Sequence, residues 1–183
     1  LAPGLICSTI NESSELSGAK SFRLDLSLTS NRSNVSPVLD TDRMSMTTVM
    51  NRINNPDDPN TAKLSTGDSH DAVYITRAAD LSNPSGAIKV LFAGYRPDES
   101  FIKVLYRVRP TGSTDSIETF GFEFFPDSSA SVPATTENIV FRDYEYEVSG
   151  LSFDQYQIKI VFVSPNQSAT PIIEDFRAIA LAV

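Results

Sequence analysis

The chain is expected to fold as an all-β protein, an antiparallel β-sandwich, on three observations. Apolar residues recur at every second position in segment after segment. Proline-bearing and Ser/Asn-rich turns separate those segments. One strand–turn–strand pattern also occurs twice: residues 156–177 align without a gap on residues 22–43, at a constant offset of 134 (156 − 22 = 177 − 43). Each copy runs an alternating apolar strand into a polar turn, then proline, then a second strand that opens on two aliphatics. Such punctuation belongs to an antiparallel hairpin.

Taken in chain order, Phe22, Leu24, Leu26 and Leu28 share one face of the first strand, with Arg23, Asp25 and Ser27 on the other. Residues 44–54 fit a strand better than a short helix. Residues 51–69 read as a linker or long loop, because Asn54-Asn55-Pro56-Asp57-Asp58-Pro59-Asn60 carries two prolines and few apolar side chains to bury. After the turn Asn83-Pro84-Ser85-Gly86, the residues Ile88, Val90 and Phe92 make a core-facing run. Ile102, Val104, Tyr106 and Val108 alternate with Lys103, Leu105 and Arg107. Phe120, Phe122 and Phe124 line one face of the next strand. Tyr144, Tyr146 and Val148 alternate with Asp143, Glu145 and Glu147, and Tyr156, Ile158, Ile160 and Phe162 close the series. Alternation gives each strand a core face and a wet face. Prolines are expected in connections such as residues 95–100, 109–113 and 126–130, since a central strand needs every backbone donor.

Three stretches follow. Residues 1–51 form an N-terminal arm and β-hairpin, residues 52–69 a linker, and residues 70–183 the sandwich domain. The hairpin either closes that sandwich or ends a preceding, similar domain. A lone hairpin is marginal in water, so it is expected to dock on something.

A length of 183 residues suffices for a substantial core. The net charge of −8 repels nucleic acid and anionic lipid. No run approaches the roughly 20 apolar residues that span a bilayer, and the opening Leu1-Ala2-Pro3-Gly4-Leu5-Ile6-Cys7 lacks the basic start of a signal peptide. Leu1 stands where an initiator Met would, as in a piece of something longer. Cys7 is the single cysteine, which excludes an internal disulfide and any multi-cysteine metal site.

Chemistry-bearing candidates are few. His70, flanked by Asp68 and Asp71, suits a base or metal ligand, but no second histidine joins it and its turn context favours a solvated loop residue. Glu145 and Glu147 stand about 7 Å apart on one strand face, within the spacing of inverting glycosidases. Asp143 shares that face, so a solvated acidic stripe is the plainer account. Asp40 with Asp42, or Asp57 and Asp58 with Asn60, offer hard oxygens but fit ordinary turns. No Gly-x-Ser-x-Gly elbow or phosphate-cradling loop is present. No catalytic, cofactor or metal residue is assigned.

The stretches at residues 73–81, 88–97 and 102–108, with residues 33–40, 51–54 and 172–181, resemble a module of large virion structural proteins. Those proteins belong to tailed bacteriophages, particularly contractile-tailed ones and their marine cyanobacterial relatives. The resemblance covers most of the chain from Phe22 onward and includes no catalytic signature. The closing strand–loop–strand also resembles jelly-roll modules of the galactose-binding-like class, which gives an alternative topology. These resemblances imply a non-enzymatic component of the phage tail in the virion, in the baseplate or at tail-fibre attachment. Its partners would be other virion proteins and copies of itself, with no nucleic acid, membrane or cofactor. The alternative they imply is a carbohydrate-binding module for host attachment. Contacts are expected at Tyr95, Arg96 and Pro97 on one tip and at Asn166 and Gln167 on another.

Overall fold

The computed structural model describes residues 25–40, 42, 51–126, 134, 140–167 and 169–181. The chain divides into two compact units, Leu1–Met50 and Asn51–Val183.

In the first unit, residues 25–40 contain no strand. Residues 31–34 turn, with Ser30 Oγ accepting from the Arg32 amide at 3.2 Å. The expected first strand is therefore corrected over residues 25–28, while Phe22, Arg23 and Leu24 lie outside the described residues. Leu26, Leu28, Val35, Val38 and Leu39 are all exposed. A strand exists only where a neighbour satisfies its backbone, and alternation alone supplies no neighbour. Of the strand expected over residues 44–54, residues 44–50 lie outside the described residues, and residues 51–54 are irregular.

In the second unit, the described residues form eight strands: β1 (Ala72–Ile75), β2 (Ala79–Ser85), β3 (Ala87–Tyr95), β4 (Phe101–Pro110), β5 (Glu123–Phe124), β6 (Arg142–Val148), β7 (Phe153–Val163) and β8 (Ile172–Leu181). The first sheet runs β1-β7-β4-β5, with β2 also pairing with β7; the second runs β6-β3-β8. Every pairing is antiparallel. β1 and β2 occupy successive stretches of one edge of β7, through Tyr74 opposite Ile160 and Ala79 opposite Tyr156. The two sheets pack face to face as an antiparallel β-sandwich.

The alternating residues meet between the sheets. Ile102, Val104, Ile158 and Ile160 come from the first sheet, and Ile88, Val90, Phe92, Tyr144 and Tyr146 from the second. Each such side chain contributes about 1.5–3 kcal/mol when fully buried. Phe92 stacks on Tyr144 at 5.0 Å and on Tyr146 at 5.9 Å between centroids.

Four expectations are corrected. The closing strand–loop–strand is not a hairpin, because β7 lies in the first sheet and β8 in the second. Their link runs across the core, where the Tyr156 hydroxyl donates to the Ala178 carbonyl at 3.2 Å. Secondly, β5 holds only Glu123 and Phe124 of the triple-phenylalanine segment, preceded by a 3₁₀ turn at Ile117–Thr119. Phe122 and Phe124 do share a face, the outer one of the first sheet, while Phe125 points into the sandwich. Thirdly, Pro84 lies within β2 and not in a turn. It is tolerated because β2 is an edge strand whose register shifts between Asp80 and Ser85.

The fourth correction concerns the wet face of β4 and β7. Leu105, Arg107, Lys159, Val161 and Val163 point away from the main core and are nonetheless buried. Residues 51–69 lie over them instead of forming a bare linker, with Ile53 and Ala62 buried. A 3₁₀ turn at Pro59–Lys63 shapes this loop, capped by Asp58 Oδ1 accepting from the Asn60 amide at 2.9 Å. The Phe122 amide donates to the Lys63 carbonyl at 2.8 Å, and Ala62, Leu105, Phe122, Val161 and Val163 make a second, smaller core. A loop with few apolar side chains can pack here because the sheet offers donors to its carbonyls.

Candidate functional site

Two places in the sandwich unit gather functional side chains: the buried polar group under the 51–69 loop, and the side of the sandwich where β1 and β8 are edge strands.

The first is centred on Lys159, at the middle of β7. Its side chain is 2% exposed. Nζ lies 2.6 Å from Asp68 Oδ2 and donates to the carbonyls of Ala62 at 2.7 Å and Leu64 at 3.4 Å. Asp68 Oδ1 accepts from the His70 amide at 3.0 Å and stands 2.6 Å from His70 Nδ1. Burial pushes the Asp68 carboxyl up, but the hydrogen bonds from Lys159 and His70 and the Lys159 charge outweigh it. The net result is a carboxyl held below the usual aspartate range.

His70 was expected to be a solvated loop residue; its side chain is wholly buried, and Nε2 has no hydrogen-bond partner among the described residues. A carboxylate on Nδ1 is the orienting half of a hydrolytic dyad. The other half is a nucleophile at Nε2, and none is described there. The nearby hydroxyls of Thr61 and Ser69 are engaged with each other at 2.6 Å. What this group does chemically is fix the loop to the sheet. Beside it, Phe122 lies under two cations, with the Arg107 guanidinium 4.5 Å and Lys159 Nζ 5.0 Å from the ring centroid. Arg107 Nε donates to Gln157 Oε1 at 2.7 Å.

Other acidic candidates are engaged in ordinary ways. Lys89 Nζ lies 2.5 Å from Glu145 and 3.8 Å from Glu147, an exposed ion-pair stripe. Asp40 Oδ1 accepts from the Asp42 amide at 3.1 Å. Among the described residues no three His, Cys, Asp or Glu side chains are placed to hold a metal ion. Cys7 lies outside the described residues.

The two expected contact tips share one end of the sandwich. Tyr95 pairs with Ile172 and Phe101 with Val163, which brings the β3–β4 and β7–β8 connections to the same end. Asn166 and Gln167 are exposed, and the Gln167 carbonyl accepts from Asn51 Nδ2 at 2.9 Å. Pro97 is buried, and its carbonyl accepts from the Ser100 hydroxyl at 2.7 Å. Arg96 Nη1 donates to the Ser100 carbonyl at 3.0 Å, with its guanidinium 5.7 Å from the Phe101 ring centroid. Tyr95 is half-buried, 6.4 Å from Phe141.

The second place is the open side. Among the described residues β1 pairs with β7 alone and β8 with β3 alone. Tyr74 of β1 meets Phe176 of β8 edge-on at 6.4 Å, so both edges lie on one side. Tyr74 faces the inter-sheet side, opposite Ile160 in register, yet is 53% exposed. Among the described residues the second sheet has three strands against four positions in the first.

Comparison with protein families, curated proteins and solved structures finds no match for the chain. The fold therefore defines the class, an antiparallel β-sandwich with a packed outer loop and one open side.

Sequence reasoning missed Lys159 and Tyr74, and took Asp68 only as a flank of His70. The signal for Lys159 was present in Val161 and Val163, apolar residues on its own face of β7.

Proposed function

We propose that this chain is a non-enzymatic structural module of a phage virion, in the tail baseplate or at tail-fibre attachment, acting through protein–protein contacts. The observation that supports this reading is the open side, where among the described residues β1 and β8 are edge strands, Tyr74 is exposed on the inter-sheet side, and Ile179 and Leu181 are exposed on the outer face of β8. Edge strands in lasting folds are covered, and a neighbouring subunit is a ready cover in a symmetric assembly. The rigid two-layer core holds that side in fixed geometry. The test is chemical cross-linking with mass spectrometry on purified particles. Cross-links from this chain to tail proteins are expected. Its absence from purified particles would end the proposal.

A second reading, carbohydrate binding for host attachment, is favoured by the loop end, which carries Tyr95 beside Phe141 on the second sheet and Phe101 on the first. Phe101 is 48% exposed and offers a face for stacking a sugar ring. Glycan-array binding that disappears in Phe101→Ala would support it, and an array without binding would discard it.

A further inference from the structure

We infer that Lys159 and Asp68 condense into an isopeptide bond, which joins the centre of β7 covalently to the 51–69 loop and releases one water. The site lies wholly within the sandwich unit and is independent of the assembly reading above.

The reacting atoms are already in place. Lys159 Nζ stands 2.6 Å from Asp68 Oδ2. Near-attack geometries hold reacting atoms about 3–3.5 Å apart, so Nζ is within reach of the carboxyl carbon Cγ. Lys159 is held there: its side chain is buried, and Nζ donates to the Ala62 and Leu64 carbonyls of the same loop. Fixing two groups in this way replaces a bimolecular encounter with an effective concentration of about 10⁵–10⁸ M.

The other carboxyl oxygen is held as a developing oxyanion needs. Asp68 Oδ1 accepts from the His70 amide at 3.0 Å and lies 2.6 Å from His70 Nδ1. A carboxylate only accepts, so the imidazole hydrogen sits on Nδ1 and the ring presents a second donor. That tautomer leaves Nε2 a bare lone pair, which agrees with a buried nitrogen that has no hydrogen-bond partner among the described residues. Two donors on the oxygen that gains charge in the transition state, inside a buried site, are the arrangement that accelerates acyl transfer. The His70 side chain and Phe122 are buried, and the Phe122 ring centroid is 5.0 Å from Nζ, so water has little access. In such surroundings an ion pair and its neutral tautomer lie closer in energy than in water, because burial disfavours charge.

The step balances within the pair. Nζ passes one proton to Oδ2, giving an amine and a carboxylic acid. The Nζ lone pair attacks Cγ, a C–N bond forms, and the carbonyl π pair moves onto Oδ1 between the two His70 donors. A second proton passes from Nζ to Oδ2, the Cγ–Oδ2 bond breaks, water departs and the carbonyl re-forms at Oδ1. The amide keeps one hydrogen, aimed at the Ala62 carbonyl that Nζ already contacts at 2.7 Å. No co-reactant enters. The ion pair is the reactant, and its response to pH and substitution is that of the unlinked chain. The link closes a loop of 91 positions (159 − 68 = 91), which constrains the unfolded chain.

The experiment is intact-mass spectrometry of the full chain, folded by circular dichroism, incubated at neutral pH and then denatured. The wild type is expected one water lighter than its sequence mass. Protease digestion is expected to yield a branched peptide joining the segments that carry Asp68 and Lys159. Lys159→Met and Asp68→Ala are each expected to keep the full sequence mass. Folded His70→Ala, which removes one oxyanion donor, is expected to link about a hundredfold more slowly. A folded wild type that stays at full mass overturns the inference, and that measurement needs no variant to fold. Loss of water without the Asp68–Lys159 branched peptide overturns it too, as does Lys159→Met losing the same water. A folded His70→Ala that links at the wild-type rate overturns the oxyanion site.

Discussion

Lys159 Nζ stands 2.6 Å from Asp68 Oδ2, and this contact pins the 51–69 loop to the centre of the first sheet. An ammonium buried in the middle of β7 is costly unless charge and hydrogen bonds replace its water. Asp68 supplies the charge, and the Ala62 and Leu64 carbonyls supply the rest. The loop is held by polar groups as much as by its second, small core.

Replacing Asp68 with Asn is expected to destabilise the protein by about 3 kcal/mol, because Lys159 stays buried without its counter-charge. The difference depends on pH. The folded carboxyl titrates below its ordinary value near 3.8, so its contribution is complete above that pH and is lost as pH falls through the folded value. Urea unfolding from pH 7 down to pH 2 should show the gap between wild type and variant closing at the acid end. A gap independent of pH would contradict the account.

The double variant Asp68→Asn/Lys159→Met, which keeps an amide oxygen for the His70 amide and Nδ1, is expected to be more stable than Asp68→Asn alone. Removing both charges ends the desolvation penalty that removing one exposes. Its residual loss is the donor to the Ala62 carbonyl, about 1 kcal/mol. A double-mutant cycle by chemical denaturation measures the coupling. Strict additivity would show that the pair contributes nothing.

Gly94→Ala is expected to cost about 1–3 kcal/mol by overpacking. An alanine Cβ there would sit 2.8 Å from Tyr144 Cε2 and 3.2 Å from Phe92 Cε2. Those two rings are stacked on each other, so neither retreats freely. Thermal unfolding of the variant reads the loss, and an unchanged midpoint would mean that the rings give way.

Two buried tyrosines should respond oppositely to loss of their hydroxyls. The Tyr144 hydroxyl is buried with no hydrogen-bond partner among the described residues, so Tyr144→Phe is expected to hold or raise stability. Tyr156→Phe deletes the bond to the Ala178 carbonyl that ties the two sheets, and should cost about 1 kcal/mol. Equal effects in the two variants would refute this assignment.

The sandwich was legible because period-two alternation reports which side chains share a face, and Ile88, Val90, Ile102, Val104, Ile158 and Ile160 all meet as that pattern implies. Partner choice was not legible. Nothing local in residues 156–177 tells whether the second strand turns back beside the first or crosses to the facing sheet. Likewise Arg107 and Lys159 look solvated along the strand; residues 118–122 cover Arg107, and the 51–69 loop, distant in sequence, covers Lys159. His70 followed the same rule: its neighbours in sequence are polar, while its surroundings in space are Asp68 and the covered sheet.

The strand order carries a kinetic consequence. β7 must find β1, with Tyr74 opposite Ile160, and β3 must find β8, with Ile88 opposite Ala180. Each pairing joins positions more than eighty residues apart, so most of the chain has to be synthesised before either can form. Loop closure at such separations slows the search, which places refolding in the millisecond-to-second regime of non-local β topologies. A growing polypeptide would therefore display its greasy central strand for a prolonged interval, and chaperone dependence during expression follows from the order of the strands.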